Sequence, residues 1–332
     1  MSSKMLRNGM IVAALLALPW VSNSYRLHLV IVSMLYMLTA IGLNLVMGYF
    51  GEMSLGQVAF FGVGAYTTAI LTLKLGMPMG VSILAGVVMA TLLGWFVAFL
   101  CLRVKGPYFV IVTLSVANIL RILSVNWVEL TNGPMGLTGI RTPVVNLAGM
   151  AVNVSNKTVF YYLMLALVAI CLLVANRMIR SHVGRAWISI REHTELSASI
   201  GVSRYAYGLA AILMASAMAG LSGGMYAYYI TIVTPDVFSF AFTIMWLIMV
   251  ITGGKGTQFG PILGSVLFTM LPEYLRAIEK YRLVVFGIVL LLVVLYMPQG
   301  IVPELEHLYR RLVDYLRRLV SNGRRANPEE AK

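Results

Sequence analysis

Charge is scarce in this sequence. Of its 332 residues only 11% are Asp, Glu, Lys or Arg, while 60% are hydrophobic; an ordinary soluble domain is about a quarter charged. A water-soluble chain of this length could not cover so much apolar surface with so few charges, so lipid must cover part of it. Acidic residues are scarcer still, 12 against 25 Lys and Arg, which leaves a net charge of +13. Such an excess also suits nucleic acid. Here the basic residues lie between hydrophobic runs and no nucleic-acid motif appears, so a basic cytoplasmic face on a membrane protein is the simpler source. Cysteine and histidine are few. Cys101 and Cys171 fall inside apolar runs, and neither stands at metal-ligand spacing from His28, His182, His193 or His307. They read as small buried hydrophobes, and no metal site is expected.

Catalytic signatures are missing too. No G-x-x-x-x-G-K-[ST] loop is present: Gly253-Gly254-Lys255-Gly256-Thr257 sets a lysine among glycines, but Gly256 follows it and the upstream glycine is absent. There is no H-E-x-x-H, no G-x-S-x-G and no carboxylate pair on one helix face. The expectation is a protein that is not an enzyme, holds no cofactor and does not itself bind ATP.

Apolar runs are abundant. A bilayer-crossing helix needs roughly 20 mostly apolar residues. Runs of this kind lie near 10–24, 28–49, 54–74, 80–102, 107–126, 159–176, 204–230, 238–252, 258–275 and 282–297. The fold class is all-α: a polytopic membrane protein of about ten (8–10) transmembrane helices, some short or broken by glycine. The chain divides into a cytoplasmic N-terminus at 1–9, a transmembrane domain at 10–302 and a cytoplasmic C-terminal segment at 303–332. The first run follows Lys4 and Arg7 and precedes Ser22-Asn23-Ser24, as a cleaved signal peptide also would. A second span follows at once and no A-x-A pattern is clear, which favours a retained anchor.

Ten crossings with the N-terminus inside place 17 of the 25 Lys and Arg in the cytoplasm, including Arg103, Arg177, Arg180, Arg185, Arg191, Arg204 and Lys255. That bias puts both termini there. On the outer side, 127–158 carries the breakers Asn132-Gly133-Pro134 and Thr142-Pro143; it either caps the bundle or simply connects two spans. At the C-terminus, Leu305, Leu308, Leu312, Leu316 and Leu319 share a helical face, with Arg310, Arg311, Arg317 and Arg318 mainly opposite. This suits an amphipathic helix at the cytoplasmic interface, followed by a disordered tail.

Three polar stretches are candidate functional segments. The first, Gly184 to Gly201, lies in the cytoplasmic loop 177–203, with Ala186, Ile190, His193 and Ser197 on one face at helical spacing and Gly201 placed to end the helix. It reads either as a docking helix or as a solvated loop. In the second, Gly48 to Gln57, glycines bracket Glu52, Ser54 and Gln57 between apolar helices. This is either an interrupted helix lining a substrate route or a tight turn. The third, Thr252 to Pro261, is similar in kind. Shifted by 204 residues, Gly56 falls on Gly260 and Val46 on Val250, a hint of an internal repeat. Ala215, Ala219, Gly220, Gly223 and Gly224 indicate close helix contact. Of the charges within or beside spans, Arg121 and Glu273 can snorkel outward, which leaves Glu52 as the pathway candidate. No relay of buried carboxylates and histidines is present, so an ion-coupled pump is disfavoured.

These stretches resemble the permease subunits of bacterial branched-chain amino-acid ABC importers, the LivM-type subunit, from about Leu27 to Pro303. The resemblance rests on Gly42-Leu43-Asn44-Leu45 with Gly48-Tyr49-x-Gly51 and Ser54-Leu55-Gly56-Gln57, and on Lys105-Gly106-Pro107-Tyr108-Phe109 with Thr113-Leu114. It continues in Thr131-Asn132-Gly133-x-x-Gly136-Leu137-Thr138-Gly139-Ile140, Gly184-Arg185-Ala186, Ile190-Arg191-Glu192 and Ala219-Gly220-Leu221-Ser222-Gly223. Gly253-Gly254-x-Gly256 with Gly260-Pro261-x-x-Gly264 completes it. The resemblance implies a multi-pass subunit of the bacterial inner membrane, surrounded by lipid. Its partners would be a homologous second permease subunit, two cytoplasmic ATP-binding subunits and a periplasmic substrate-binding protein. The cytoplasmic coupling loop falls on Gly184–Gly201, with Gly184, Arg185, Ala186, Ile190, Arg191, Glu192, Ala198 and Gly201 as coupling residues, although the E-A-A wording of that loop is not reproduced. Asn44, Glu52, Ser54, Gln57, Gly256 and Gly260 are the translocation-pathway candidates. Leucine, isoleucine and valine are the expected substrates; urea, short amides or other amino acids are the alternative, and a secondary transporter without an ATPase is the rival mechanism.

Overall fold

The computed structural model of the protein describes residues 15–20, 22–104, 106–140, 144–147, 150–153, 155–274, 287–288, 291, 295 and 300–304. The N-terminus at 1–9, part of the first expected run, most of the run at 282–297 and the amphipathic helix and tail from 305 onward lie outside these residues. Six helices among the described residues are long and apolar enough to cross a bilayer. The first four are α1 (Ser24–Asn44, prolonged by a π-helical turn at Leu45–Phe50), α2 (Gln57–Leu75), α3 (Met79–Cys101) and α4 (Pro107–Asn126). The fifth, α5 (Lys157–Arg180), leads into two short helices, α6 (His182–Glu192) and α7 (Thr194–Ser199), and then into the sixth, α8 (Arg204–Ile230). Two 15-residue helices follow, α9 (Phe240–Gly254) and α10 (Gly260–Tyr274).

The protein is a helical, polytopic membrane protein, but the expected count of about ten crossings is not reached among the described residues. The run at 238–252 is the instructive difference. Helix α9 is about 22 Å long at 1.5 Å per residue, short of the roughly 30 Å hydrocarbon core, and α10 is described as far as Tyr274. The glycines between them end one helix and begin the next, so the two runs meet in a turn.

The long helices are held together by small residues and aromatic rings. A Cβ on Gly223 of α8 would stand 2.0 Å from the carbonyl oxygen of Phe61 in α2, so only glycine allows the two backbones to approach so closely. Tyr36, Phe61, Tyr226, Phe242 and Trp246 form an aromatic cluster between α1, α2, α8 and α9, with centroid separations of 5.0 to 6.2 Å. The most apolar window of α1 is 78% buried, against 28% for α3 and 22% for α4. Helix α1 is therefore the central post, and α3 and α4 turn most of their surface outward. Cys101 and Cys171 are free and buried, as their apolar surroundings predict.

The segment expected as an outer cap or plain connector has its own secondary structure among the described residues. It makes a one-turn helix at Val128–Thr131 and a 3-10 turn at Gly133–Met135. Strand β1 (Leu137–Thr138) follows, and then a hairpin of β2 (Val144–Leu147) and β3 (Met150–Asn153). Strand β1 pairs antiparallel with β4 (Ile232–Val233), which ties this segment to the link between α8 and α9. The Thr131 hydroxyl donates to the carbonyl of Ser124 at 2.7 Å, and the Asn132 amide donates to that of Gly136 at 2.9 Å.

Because the clash at Gly223 is with backbone, Gly223→Ala should lower the thermal midpoint in detergent by an amount matching about 1–3 kcal/mol of overpacking. Gly80, at the start of α3, has open space where a Cβ would go. Gly80→Ala should leave the midpoint unchanged or slightly raised. Equal midpoints for the two variants would contradict the packing account.

Candidate functional site

One end of the bundle gathers the ends of α1, α3, α5 and α9, the starts of α2, α8 and α10, and both short helices α6 and α7. The last carbonyls of a helix and its first amides have no partner within it. A sequence poor in polar side chains must use each one with care, and the geometry here is largely a set of such caps.

Helix α1 stops where its π turn ends at Gly51, which takes the left-handed φ of 92°. The amides of Gly51 and Glu52 both turn back to the carbonyl of Val46, at 2.9 and 3.2 Å. The next free carbonyl, that of Gly48, accepts from Arg191 Nη1 of α6 at 2.6 Å. A cation at a helix C-terminus also meets the negative end of the helix dipole. The stem of Arg191 lies over Gly51, where a Cβ would stand 2.5 Å from Arg191 Cγ. Arg191 Nη2 sits 3.5 Å from Glu192, whose side chain is 61% exposed.

Asn44 joins this end of α1 to the break between α9 and α10. Its amide nitrogen donates to the carbonyl of Thr257 at 2.8 Å, and its oxygen accepts from the amide of Gly256 at 2.8 Å. The side chain thus pairs with the glycine turn as a neighbouring strand would, and it is buried. Gly48 makes this approach possible: a Cβ there would stand 2.3 Å from the Gly256 nitrogen. Thr257 accepts from the amide of Gly260 at 3.0 Å and donates to the carbonyl of Gly254 at 2.7 Å, which closes the turn and caps the start of α10. The two positions related by the 204-residue shift both stand at helix starts, Gly56 before α2 and Gly260 opening α10.

The structure therefore brings Asn44, Gly256 and Gly260 together with Arg191. The other pathway candidates are elsewhere. Glu52 forms an ion pair with Arg204 at the start of α8, both partners being less than one-fifth exposed. Ser54 is buried, its hydroxyl accepting weakly from the Gly56 amide at 3.4 Å. Gln57 lies where α1, α2 and α8 cross, and donates to the carbonyls of Ala215 and Thr39 at 3.1 and 3.4 Å.

The segment expected to be the coupling loop is two helices broken at His193, whose φ and ψ of −147° and 86° leave the helical region. A single helix through His193 would have kept that residue on the face of Ala186, Ile190 and Ser197; instead the other three are buried and His193 is exposed. Ser181 caps the start of α6 by accepting from the Val183 amide at 3.1 Å. Trp187 is fully buried and its indole donates to the carbonyl of Tyr207 at 2.7 Å, which anchors α6 against α8. Gly184 presses on the end of α5, where a Cβ would meet the Ile179 carbonyl at 2.0 Å. Arg185, Arg191, Glu192, Ala198 and Gly201 are exposed, as are the apolar side chains of Leu196 and Ile200.

Sequence reasoning missed Arg204. Its guanidinium donates to the carbonyls of Leu102 and Val104 at 3.0 and 3.1 Å as well as to Glu52, so it caps α3 and pins the loop before α2. The signal was available: one acid beside a span needs a cationic partner. Thr113 was also missed as a cap; its hydroxyl accepts from the Leu55 amide at 3.2 Å.

The chain matches the family model described as branched-chain amino acid transport system / permease component over residues 25–294. It is 32% identical to the high-affinity branched-chain amino acid transport system permease protein LivM of Escherichia coli strain K12, over 86% of this chain and 72% of that protein. The LivM protein of Salmonella typhimurium is 33% identical over the same shares. A probable branched-chain amino acid transport permease protein LivM of Methanocaldococcus jannaschii is 24% identical over 81% of this chain and 91% of that protein. No solved structure matches.

Removing Arg204 leaves a carboxylate and two carbonyls without their donor, whereas Glu52→Gln leaves Arg204 both carbonyl partners. Arg204→Ala should therefore cost about 3 kcal/mol and Glu52→Gln about 1 kcal/mol, read as loss of unfolding free energy in detergent. The opposite order would contradict the assignment of Arg204 as a shared cap.

Proposed function

Since the chain belongs to the branched-chain amino acid transport permease family, we propose that it is the membrane subunit of an ABC importer carrying leucine, isoleucine and valine inward. It is a transport component and not an enzyme. Hydrolysis occurs on two ATP-binding partner subunits, a homologous second permease completes the membrane pore, and a periplasmic binding protein delivers the substrate. The α6–α7 pair is the surface on which an ATP-binding subunit acts. That pair is anchored through Trp187 and Gly184, so a force applied to it is passed to α5 and α8 and is not lost in a loose loop. Its outward side presents Arg185, Glu192, Ala198, Gly201, Leu196 and Ile200, a mix of charge and apolar surface that suits a protein groove.

The single observation that supports this reading best is the burial of one face of α6 against the bundle while the segment at its far end, from Glu192 to Gly201, stays largely open around buried Ser197. Arg177, Arg180, Arg185, Arg191 and Arg204 all fall at this end, which on the positive-inside bias is cytoplasmic, with both termini on the same side. Asn44, Gly256 and Gly260 then mark the cytoplasmic margin of the pathway, and Glu52, Ser54 and Gln57 support it.

Proteoliposomes holding this chain with its partner permease, its ATP-binding subunits and the binding protein test the reading. Leucine uptake should require ATP inside the ATPase-bearing compartment and vanish when the ATP-binding subunits are catalytically dead. Uptake that continues without hydrolysis would favour an ATPase-independent transporter instead.

A further inference from the structure

We propose that Arg191 is not a contact to the ATP-binding subunit but the positioning residue that carries movement of the α6–α7 pair to the two interrupted helices. The proposal rests on the coupling role given above to that pair, and on geometry that assigns Arg191 a different task from its exposed neighbours. Its guanidinium has two acceptors, one on each terminal nitrogen. Nη1 binds the carbonyl of Gly48 within the bundle, and Nη2 faces Glu192, which is the more exposed of the two side chains. A partner that engages Glu192 therefore draws on the same guanidinium that caps α1.

Three glycines form the seat for that side chain. Gly51 lies under its stem, Gly48 supplies the carbonyl, and Gly256 stands so close that a Cβ there would be 3.0 Å from Arg191 Nη1. Gly51 and Gly256 both have positive φ, 92° and 74°, so no other residue fits either position without strain. Asn44 clasps the turn at Gly256 and Thr257 from the α1 side. Displacing Arg191 thus shifts the end of α1 and the α9–α10 turn together, because the same few bonds hold both. Lysine cannot reproduce this arrangement. Its ammonium is a point donor without the planar fork that lets one head reach Gly48 and Glu192 at once.

The test uses the complete importer in proteoliposomes, with leucine carried per ATP hydrolysed as the readout. Arg191→Ala should keep its ATP-binding subunits and their hydrolysis, while leucine per ATP falls by about tenfold or more; Arg191→Lys should fall between. Gly48→Ala leaves Arg191 in place but drives a Cβ to 2.2 Å from Asn44 Oδ1, and should uncouple in the same way. A second readout places nitroxides at the exposed positions of Glu195→Cys and Phe259→Cys; Cys101 and Cys171 are buried and do not compete. The inter-label distance should change on ATP addition with Arg191 present and stay fixed in Arg191→Ala. A wild-type leucine-to-ATP ratio in Arg191→Ala, or loss of the ATP-binding subunits from it, would overturn the proposal. The distance readout needs ATP and no amino acid. If the wild-type complex carried no leucine, the transport reading would fail while Arg191 was still decided.

Discussion

A helix that ends leaves its last carbonyls without partners, and in a bundle surrounded by lipid no water is at hand within the apolar layer to supply them. This chain has few side chains that can do so. At one end of the bundle it uses Asn44, Thr113, Arg191, Arg204 and Thr257, each donating to or accepting from backbone that another element has left open. The caps act across long sequence separations: α6 closes α1, α8 closes α3, and α1 closes the turn between α9 and α10. Elements far apart in the chain are therefore fixed to one another by the hydrogen bonds that each needs to end at all.

That economy bears directly on transport. On the proposed coupling role, a subunit driven from outside would be stiff where force enters and able to rearrange where the pathway opens. Buried Trp187 and the backbone contact at Gly184 give α6 a firm seat. Arg191, Gly48 and the Asn44 clasp are different in kind, being joined by a handful of hydrogen bonds over glycine backbone. Such a junction can exchange partners at small cost, since each bond lost to one acceptor is available to another. The close-packed crossing of α2 and α8 at Gly223 has no such alternative and belongs to the frame.

Much of this was legible in the residues. Apolar runs placed the long helices to within a few residues, because nothing but a helix satisfies its own backbone in lipid. The small-residue stripe from Ala215 to Gly224 announced the crossing of α8. The pair of glycine-rich breaks was visible. What could not be read was which break met which. Asn44 reaches residues more than 200 positions away, and Arg204 reaches back about 150 positions to Glu52; no local pattern encodes either distance. The run at 238–252 was expected to span and forms a helix of only 15 residues, because hydropathy measures apolar length and is blind to the glycines that end α9. The coupling segment was read as one helix because Ala186, Ile190, His193 and Ser197 keep helical spacing across a backbone break that only the dihedrals of His193 reveal.

The account stands on the mutual capping of the two interrupted segments, and amide hydrogen exchange in lipid nanodiscs measures it most directly. The amide of Gly256 should be protected, and Asn44→Ala should speed exchange both at Gly256 and at Gly51 and Glu52, since the two breaks are held by one clasp. Rapid exchange at Gly256 in the unaltered protein would contradict the capping. So would an Asn44→Ala effect confined to one of the two segments.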